Sequence, residues 1–338
     1  MALYLGSNQA DFNIIGEEKT ISPTLKSIID KTIVSYSNSE VTMVPSYAFC
    51  RCHKLTNISF PNCTSIGGDA FFDCVSLTTA NFPNCTVIGG FAFDYCYSLT
   101  EANFPKCTNI NNFAFGECFR LSIISFPNCI SIGGYAFSGC YLLTEANFPS
   151  CIFIDGYAFY SCSGLATISF PNCSYIGGSA FCYCSALITA DFPNCSYIGM
   201  SAFYNCSRLA TISFPNCSIV SYRAFAYCFA LTTVNFPNCS IVSSRAFYNC
   251  SALTTASFPN CISVGSCVFS GCYHLISLYL NSVSSVPTLG ESVFDSTPIG
   301  GYSASAGRYG SVYVPTSLYS SFTVATNWSS ISARIVSI

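Results

Sequence analysis

The chain has 338 residues, with 8% charged, 51% apolar or aromatic, and a formal net charge of −3. A disordered chain would lack those aromatics and aliphatics, and no basic stripe is present for nucleic acid. No run approaches the roughly 18 apolar residues of a membrane span, so no membrane insertion is expected.

Residues 1–43 differ from the rest. They open on MALYLGSNQADFNIIG, which has no basic n-region, no long apolar core and no small-residue cleavage site. No secretory signal is visible. A place on an extracellular face or a virion would need another route, and the cytoplasm stays open. Leu3 to Leu5 reads as a short strand. Ser22 and Pro23 read as an N-cap and first helical position, and Leu25, Ile28, Ile29 and Ile33 follow at helical spacing. A short helix at about 23–31 is expected, capping the solenoid described next.

From Leu55 to His274 a 22-residue unit recurs ten times without a gap, as in LTTANFPNCTVIGGFAFDYCYS from Leu77 to Ser98. A fixed period of this length marks a solenoid, a propeller or an array. Numbered from its Leu, each unit has Ile, Ala or Val at position 4, Phe at 6, Pro at 7, Cys at 9, Ile or Val at 12, Ala or Val at 16, Phe at 17 and Cys at 20. The pattern matches the leucine-rich repeat signature LxxLxLxx(N/C). Positions 2–6 should form a strand with 4 and 6 inward and 3 and 5 outward. Pro at 7 ends it, having no amide for the ladder. Glycine pairs such as Gly67–Gly68 permit a turn. The AFxxC segment is too short for a helix, so one helical or 3₁₀ turn is expected there. One coil alone cannot bury its inward side chains; neighbouring coils must do so.

After Leu280 the pattern fades. Ser311 to Pro315 reads as a strand, and Ser317 onward as a short helix ending at Trp328. The expected organisation is an N-terminal cap at 1–43, a solenoid at 44–280 and a C-terminal cap at 281–338, with Trp328 sealing the last coil.

Of the twenty-four cysteines, twenty-one form two columns, at positions 9 and 20. Stacked coils would place equivalent atoms about 4.8 Å apart, inside the Cα window for a disulfide of roughly 4.4–6.8 Å. Every other core position repeats in the same way, so buried reduced thiols are the preferred reading, with disulfides and a metal as alternatives. Cys50, Cys52 and His53, and the pair Cys182 and Cys184, lack the paired spacing of a zinc site. Cys50 and Cys182 read as surface variants of position 18. No metal and no other cofactor is expected.

No catalytic residues emerge. His53 and His274 stand at opposite ends of the array. Glu101 and Glu145 share position 3 two coils apart, on an open face and not in a cleft. Binding is the better question. Outward positions 3 and 5 are mostly small and polar, as at Thr79, Asn81, Asn103 and Asn147, and acids interrupt them at Glu101, Glu145 and Asp191. Position 15 is aromatic over four coils, at Phe91, Phe113, Tyr135 and Tyr157. Position 11 is aromatic at Phe153, Tyr175 and Tyr197. Tyr among Ser, Gly and Asn resembles a paratope, with rigid rings among adaptable polar groups. The plain alternatives are a solvated β face and rings that stack only on one another.

The motif LxxIxFPNCxxIGxxAFxxC, as in Leu165 to Cys184, resembles the BspA-like or Treponema-type leucine-rich repeat proteins over about two-thirds of the chain. The repeat here is one residue shorter near the proline. The resemblance implies a right-handed solenoid with a parallel sheet on one face, and surface adhesion without catalysis. The ends of the chain are similar to those of proteins from gut bacteria and their phages. The expected function is therefore non-enzymatic recognition of a cell-surface protein or glycan, including as a phage-tail component. The alternative is a structural spacer in a virion tail or surface layer.

Overall fold

The computed structural model describes residues 12–15, 18–21, 33–301 and 305–338. The strand expected at Leu3 to Leu5 and the helix expected at about 23–31 lie outside the described residues. The chain divides into two compact units, 1–170 and 171–338.

Every repeat makes one coil from the same three backbone stretches. Positions 3–5 form a short strand, such as Thr79–Asn81, and positions 11–12 a second one, such as Val87–Ile88. The second strands pair in parallel with their equivalents 22 residues on, and the first strands do so in separate runs of coils. Thr79 faces Glu101, Ala80 faces Ala102, and Ile88 faces Ile110. Like therefore lies upon like, as expected of a leucine-rich-repeat solenoid.

The first unit opens with an antiparallel pair, Phe12–Ile15 and Glu18–Ile21; the latter pairs in parallel with Met43–Val44. Coil geometry already begins at Ile33, because Ser35–Ser37 pairs with Asn57–Ser59. Tyr36 and Val41 are buried at positions 4 and 9. The boundary expected at residue 43 thus falls inside a coil. Tyr36, Asn38 and Val41 stand where Ile, Phe and Cys normally mark the beat, which hid it.

In the second unit the beat also outlasts Leu280. Leu275, Leu278, Leu280, Val283 and Leu289 are buried, and Thr288 pairs with Ser263 across a coil lengthened to 25 residues. Ser311–Val314 then pairs with Ser277–Tyr279, and Ile335–Ser337 pairs with Ser311–Val314. A helix, Tyr319–Val324, and a 3₁₀ segment, Trp328–Arg334, lie between them. Trp328 is fully buried, with its ring centroid 5.1 Å from Phe322 and 6.2 Å from Phe294. Its Nε1 donates to the carbonyl of Pro287 at 2.8 Å.

The core is two phenylalanine columns. In the first unit Phe93 and Phe115 stack at 5.1 Å and 3°, Phe104 and Phe126 at 5.4 Å and 4°, while Phe93 meets Phe104 edge-on at 5.9 Å. The second unit repeats this with Phe203 and Phe225 at 5.2 Å and Phe203 edge-on to Phe214 at 5.8 Å. Offset stacking along a column and edge contact across it are the two favourable ring geometries.

The AFxxC stretch is neither a helical nor a 3₁₀ turn. Ala92 N–H donates to Gly89 and Cys96 N–H to Phe93, while Phe91 and Tyr95 sit at φ 58° and 60°. A positive φ at the third residue marks successive type II turns. The N–H groups of positions 15, 17 and 19 point sideways instead. Phe91, Phe93 and Tyr95 donate to Asn112, Ala114 and Gly116 of the next coil at 3.0, 2.8 and 3.0 Å. A third ladder replaces the helix because these donors are taken by the neighbouring coil.

Candidate functional site

Much of the polar surface is engaged in stacking. Position 8 is usually Asn, and its amide donates to the carbonyl of the preceding coil's proline: Asn84 to Pro61 at 2.8 Å, Asn128 to Pro105 at 2.7 Å, Asn216 to Pro193 at 2.7 Å. Sequence reasoning noted the proline and missed this partner. Position 10 hydroxyls do the same, with Thr86 donating to Thr64 O and Ser218 to Ser196 O. Low charge is thus compatible with a polar exterior made of neutral donors.

Among the described residues, none of the 24 cysteines is joined in a disulfide. The position-20 thiols donate to the position-17 carbonyl of the coil before, as Cys96 does to Phe71 O at 3.2 Å. The position-9 thiols donate two residues ahead, as Cys85 does to Val87 O at 3.2 Å. Burial pushes these thiols up, Cys63 to about 11 and Cys107 to about 12, so they are small hydrophobes with a weak donor. Cys182 is buried and not on the surface as expected; Cys50 is half-buried. No group of three or more His, Cys, Asp or Glu side chains placed to hold a metal occurs among the described residues.

The sequence-predicted binding residues fall into separate sets. In the first unit Asn81, Glu101, Glu145 and Asn147 are exposed along the position 3–5 strands, with Thr79 and Asn103 half-buried. Asn103 donates to Asn81 Oδ1 at 3.0 Å. Asp191 is exposed in the second unit. The four position-15 rings expected from the sequence, Phe91, Phe113, Tyr135 and Tyr157, belong to the first unit and form one pile. Phe91 to Phe113 is 4.7 Å, Phe113 to Tyr135 4.5 Å and Tyr135 to Tyr157 4.5 Å, all within 6° of parallel. Their faces are turned to one another, so the interior rings offer edges to a ligand. At position 11, Phe153 belongs to the first unit; Tyr175 and Tyr197 stack at 5.2 Å in the second.

The first unit also holds features that the sequence did not single out. Tyr97, Phe119 and Tyr141 at position 21 make a further pile, at 4.9 and 5.2 Å. The position-10 hydroxyl ladder stops after Thr108 and is followed by Ile130 and Ile152, 45% and 48% exposed, with Phe153 beside them at 38%. The broken Thr pattern was the readable signal. Asp94 is only 3% exposed, and its Oδ1 has no partner among the described residues. Burial first, then the nearby Glu117, raises its carboxyl to about 7. Burial also raises Glu117. Glycines make room for both acids. A Cβ at Gly116 would lie 2.6 Å from Asp94 Oδ1, and one at Gly139 2.9 Å from Glu117 Oε1.

A profile of the BspA-type leucine-rich repeat region, six copies long, matches residues 29–142, 108–232 and 196–304. The chain belongs to the BspA-type leucine-rich repeat family. Solved structures similar to this BspA-type chain include a leucine-rich repeat protein from Bacteroides ovatus, at 20% identity over 83% of this chain and 97% of that one, TM-score 0.36. A leucine-rich cell surface protein from Faecalibacterium prausnitzii matches at 19% identity over 83% and 95%, TM-score 0.40. The pneumococcal vaccine antigen PcpA matches at 14% over 97% and 86%, TM-score 0.47. No curated protein matches the chain. Among the described residues no helix is long and apolar enough to cross a membrane.

Proposed function

We propose that this BspA-type chain is a non-enzymatic recognition protein whose first unit binds a protein on a cell surface. The observation that carries the reading is the run Ile130, Ile152 and Phe153. Hydroxyls serve stacking at that position in most other coils, Ile262 in the second unit excepted, yet here two successive coils carry large apolar groups at the surface. Exposed apolar side chains grouped on one face are what a protein partner buries. The neighbouring polar strand face, from Thr79 to Asn147, supplies a hydrophilic rim. A glycan is the weaker partner, because sugars stack on ring faces and the position-15 pile hides all but its ends. The surface of a cell or a virion tail is the setting in which such a rigid array is useful.

The test is an array of surface proteins and glycans probed with the intact chain. The double variant Ile130→Ser, Ile152→Ser restores the hydroxyl ladder and should keep the fold. Protein binding lost in that variant, at an unchanged melting temperature, supports the reading. Binding that survives it sinks this surface. A spacer role is favoured by one specific observation, the Asn and Thr side chains spent on coil-to-coil bonds. It predicts no saturable partner on either array.

A further inference from the structure

The turn-row ladder has an end. At every coil-to-coil junction of the second unit the N–H groups of positions 15, 17 and 19 donate to three carbonyls of the next coil. Arg223, Phe225 and Tyr227 donate to Ser244, Ala246 and Tyr248 at 3.2, 2.8 and 2.8 Å. At the last junction Cys267, Phe269 and Gly271 donate to Glu291, Val293 and Asp295 at 2.9, 3.1 and 3.0 Å. The next donors are the N–H groups of Ser292, Phe294 and Ser296. Among the described residues these three meet no acceptor. Ser292 and Ser296 keep the positive φ of the row, 56° and 57°, so the last row has the same conformation as those before it.

Among the described residues, the C-terminal segment bonds to the other edges of this coil but not to these three N–H groups. Ser311–Val314 pairs with Ser277–Tyr279. Asn327 Nδ2 and Trp328 Nε1 take the carbonyls of Leu289 and Pro287 at 2.6 and 2.8 Å. Where the next turn row would lie there is a cleft of about 830 Å³, lined by Ser292, Phe294, Ser296, Asn327 and Tyr273 among others. Glu291 and Asp295 are exposed along its wall.

We infer that this cleft binds a basic polypeptide segment, whose main-chain carbonyls accept from Ser292, Phe294 and Ser296 and whose cationic side chain lies by Glu291 and Asp295. The donors are on alternate residues, and an extended chain presents its carbonyls on one side with the same alternation. Unpaired donors on a backbone edge are a template for a further strand, and main-chain bonds give such docking its affinity. The two carboxylates disfavour an acidic segment. Trp328 already closes the phenylalanine column, so the segment must carry a small residue at its centre. This site goes beyond the recognition surface proposed above and uses different residues in the other unit.

The probe is the blocked peptide acetyl-SSRASYN-amide. It copies residues 243–249, whose carbonyls already fit such a row, with Ser in place of Phe247. Titrated into the isotope-labelled full chain, it should give saturable downfield shifts of the Ser292, Phe294 and Ser296 amide protons and slow their exchange. The peptide with Glu in place of its Arg should bind at least tenfold more weakly. The double variant Glu291→Lys, Asp295→Lys should reverse that preference. Shifts confined to the neighbourhood of the two carboxylates, with those three amides unmoved, would overturn the inference. So would no response at millimolar peptide. Neither result touches the role of Ile130 and Ile152.

Discussion

Position 15 separates the two units. In the first it carries Phe91, Phe113, Tyr135 and Tyr157; in the second, Ser179, Ser201, Arg223 and Arg245. The backbone does not register the change. Phe91 and Tyr157 have φ of 58° and 60°, and Ser179 and Arg245 have 56° and 58°. The sideways N–H bonds persist as well, 3.0 Å from Phe91 to Asn112 and 2.8 Å from Ser179 to Met200. A left-handed conformation costs a non-glycine residue roughly 1–2 kcal/mol, and both units accept that cost for the lateral bond and the buried neighbours. The coil is therefore dictated from inside, by positions 1, 4, 6, 9, 12, 16, 17 and 20. What stands at position 15 is free to vary, and the aromatic pile is a property of one unit, not a requirement of the turn.

The largest effect should be blind to the difference between units. Phe115→Ala in the first and Phe225→Ala in the second each remove a fully buried ring that stacks above and below. Each should cost about 3–5 kcal/mol, read as a shift of the urea midpoint. A loss under half of that in one unit alone would mean that the two cores are not equivalent.

Position 18 sharpens the comparison next. It buries Asp94 in the first unit and Ala226 in the second. The Asp94 carboxyl titrates near 7 when folded, against an ordinary 3.8. The native state thus binds its proton more tightly than the unfolded chain. That contribution is fully present below about pH 4 and is lost as pH rises through 7. Asp94→Ala transplants the second unit's residue. It should flatten the pH dependence and make the variant more stable than the parent at pH 8, by about 1–3 kcal/mol. Denaturant curves at pH 4, 6 and 8 measure it. Equal slopes for variant and parent would show that Asp94 has found a partner.

These residues also mark how far the sequence could be read. The Leu, Phe, Pro and Cys beats give the stacked coils and their inward faces, because burial selects residue type at fixed spacing. The turn row was missed because positive φ was sought at glycines. At position 15 none is present, and at position 19 only Gly139 and Gly271 supply one. Asp73, Asn205 and Asn249 at position 19 were the available hint, since Asp and Asn tolerate that region. The start at Ile33 was hidden by Tyr36 and Val41. Asp94 was not singled out, because its burial depends on the missing side chain of Gly116 in the next coil. The exposed isoleucines were visible as letters, but their meaning required knowing that Thr64, Thr86 and Thr108 form a ladder.

The position-8 amides come next in size and should again be indifferent to unit. Asn128→Ala removes the bond to Pro105 O, and Asn216→Ala the one to Pro193 O. Both sites are at the surface, so water replaces part of the loss and each should cost about 0.5–1.5 kcal/mol. Asn128→Asp at neutral pH should do no better than Ala, because a carboxylate cannot donate to that carbonyl.

The smallest effect bears most directly on the difference between units. Phe91 is the end of the position-15 pile, with one ring neighbour there, Phe113 at 4.7 Å. Phe91→Ser installs the residue that Ser179 and Ser201 carry at the same φ. It gives up one stacked pair, about 0.5–1.5 kcal/mol before exposure is considered, and leaves the lateral N–H bond to Asn112 in place. Phe91→Gly gives up the same pair but also relieves the left-handed conformation, so the two terms should nearly cancel. Comparing the two variants separates ring stacking from backbone strain. If Phe91→Gly is as stable as the parent and Phe91→Ser slightly less so, the ring holds the coil only to the extent that it offsets its own φ. Aromatic residues at that position are then dispensable to the fold and available for contact. If both variants lose the turn-row amide protection at Phe93 and Tyr95, the pile is a structural brace, and the contrast with the serine-bearing unit lies in how each unit is stiffened.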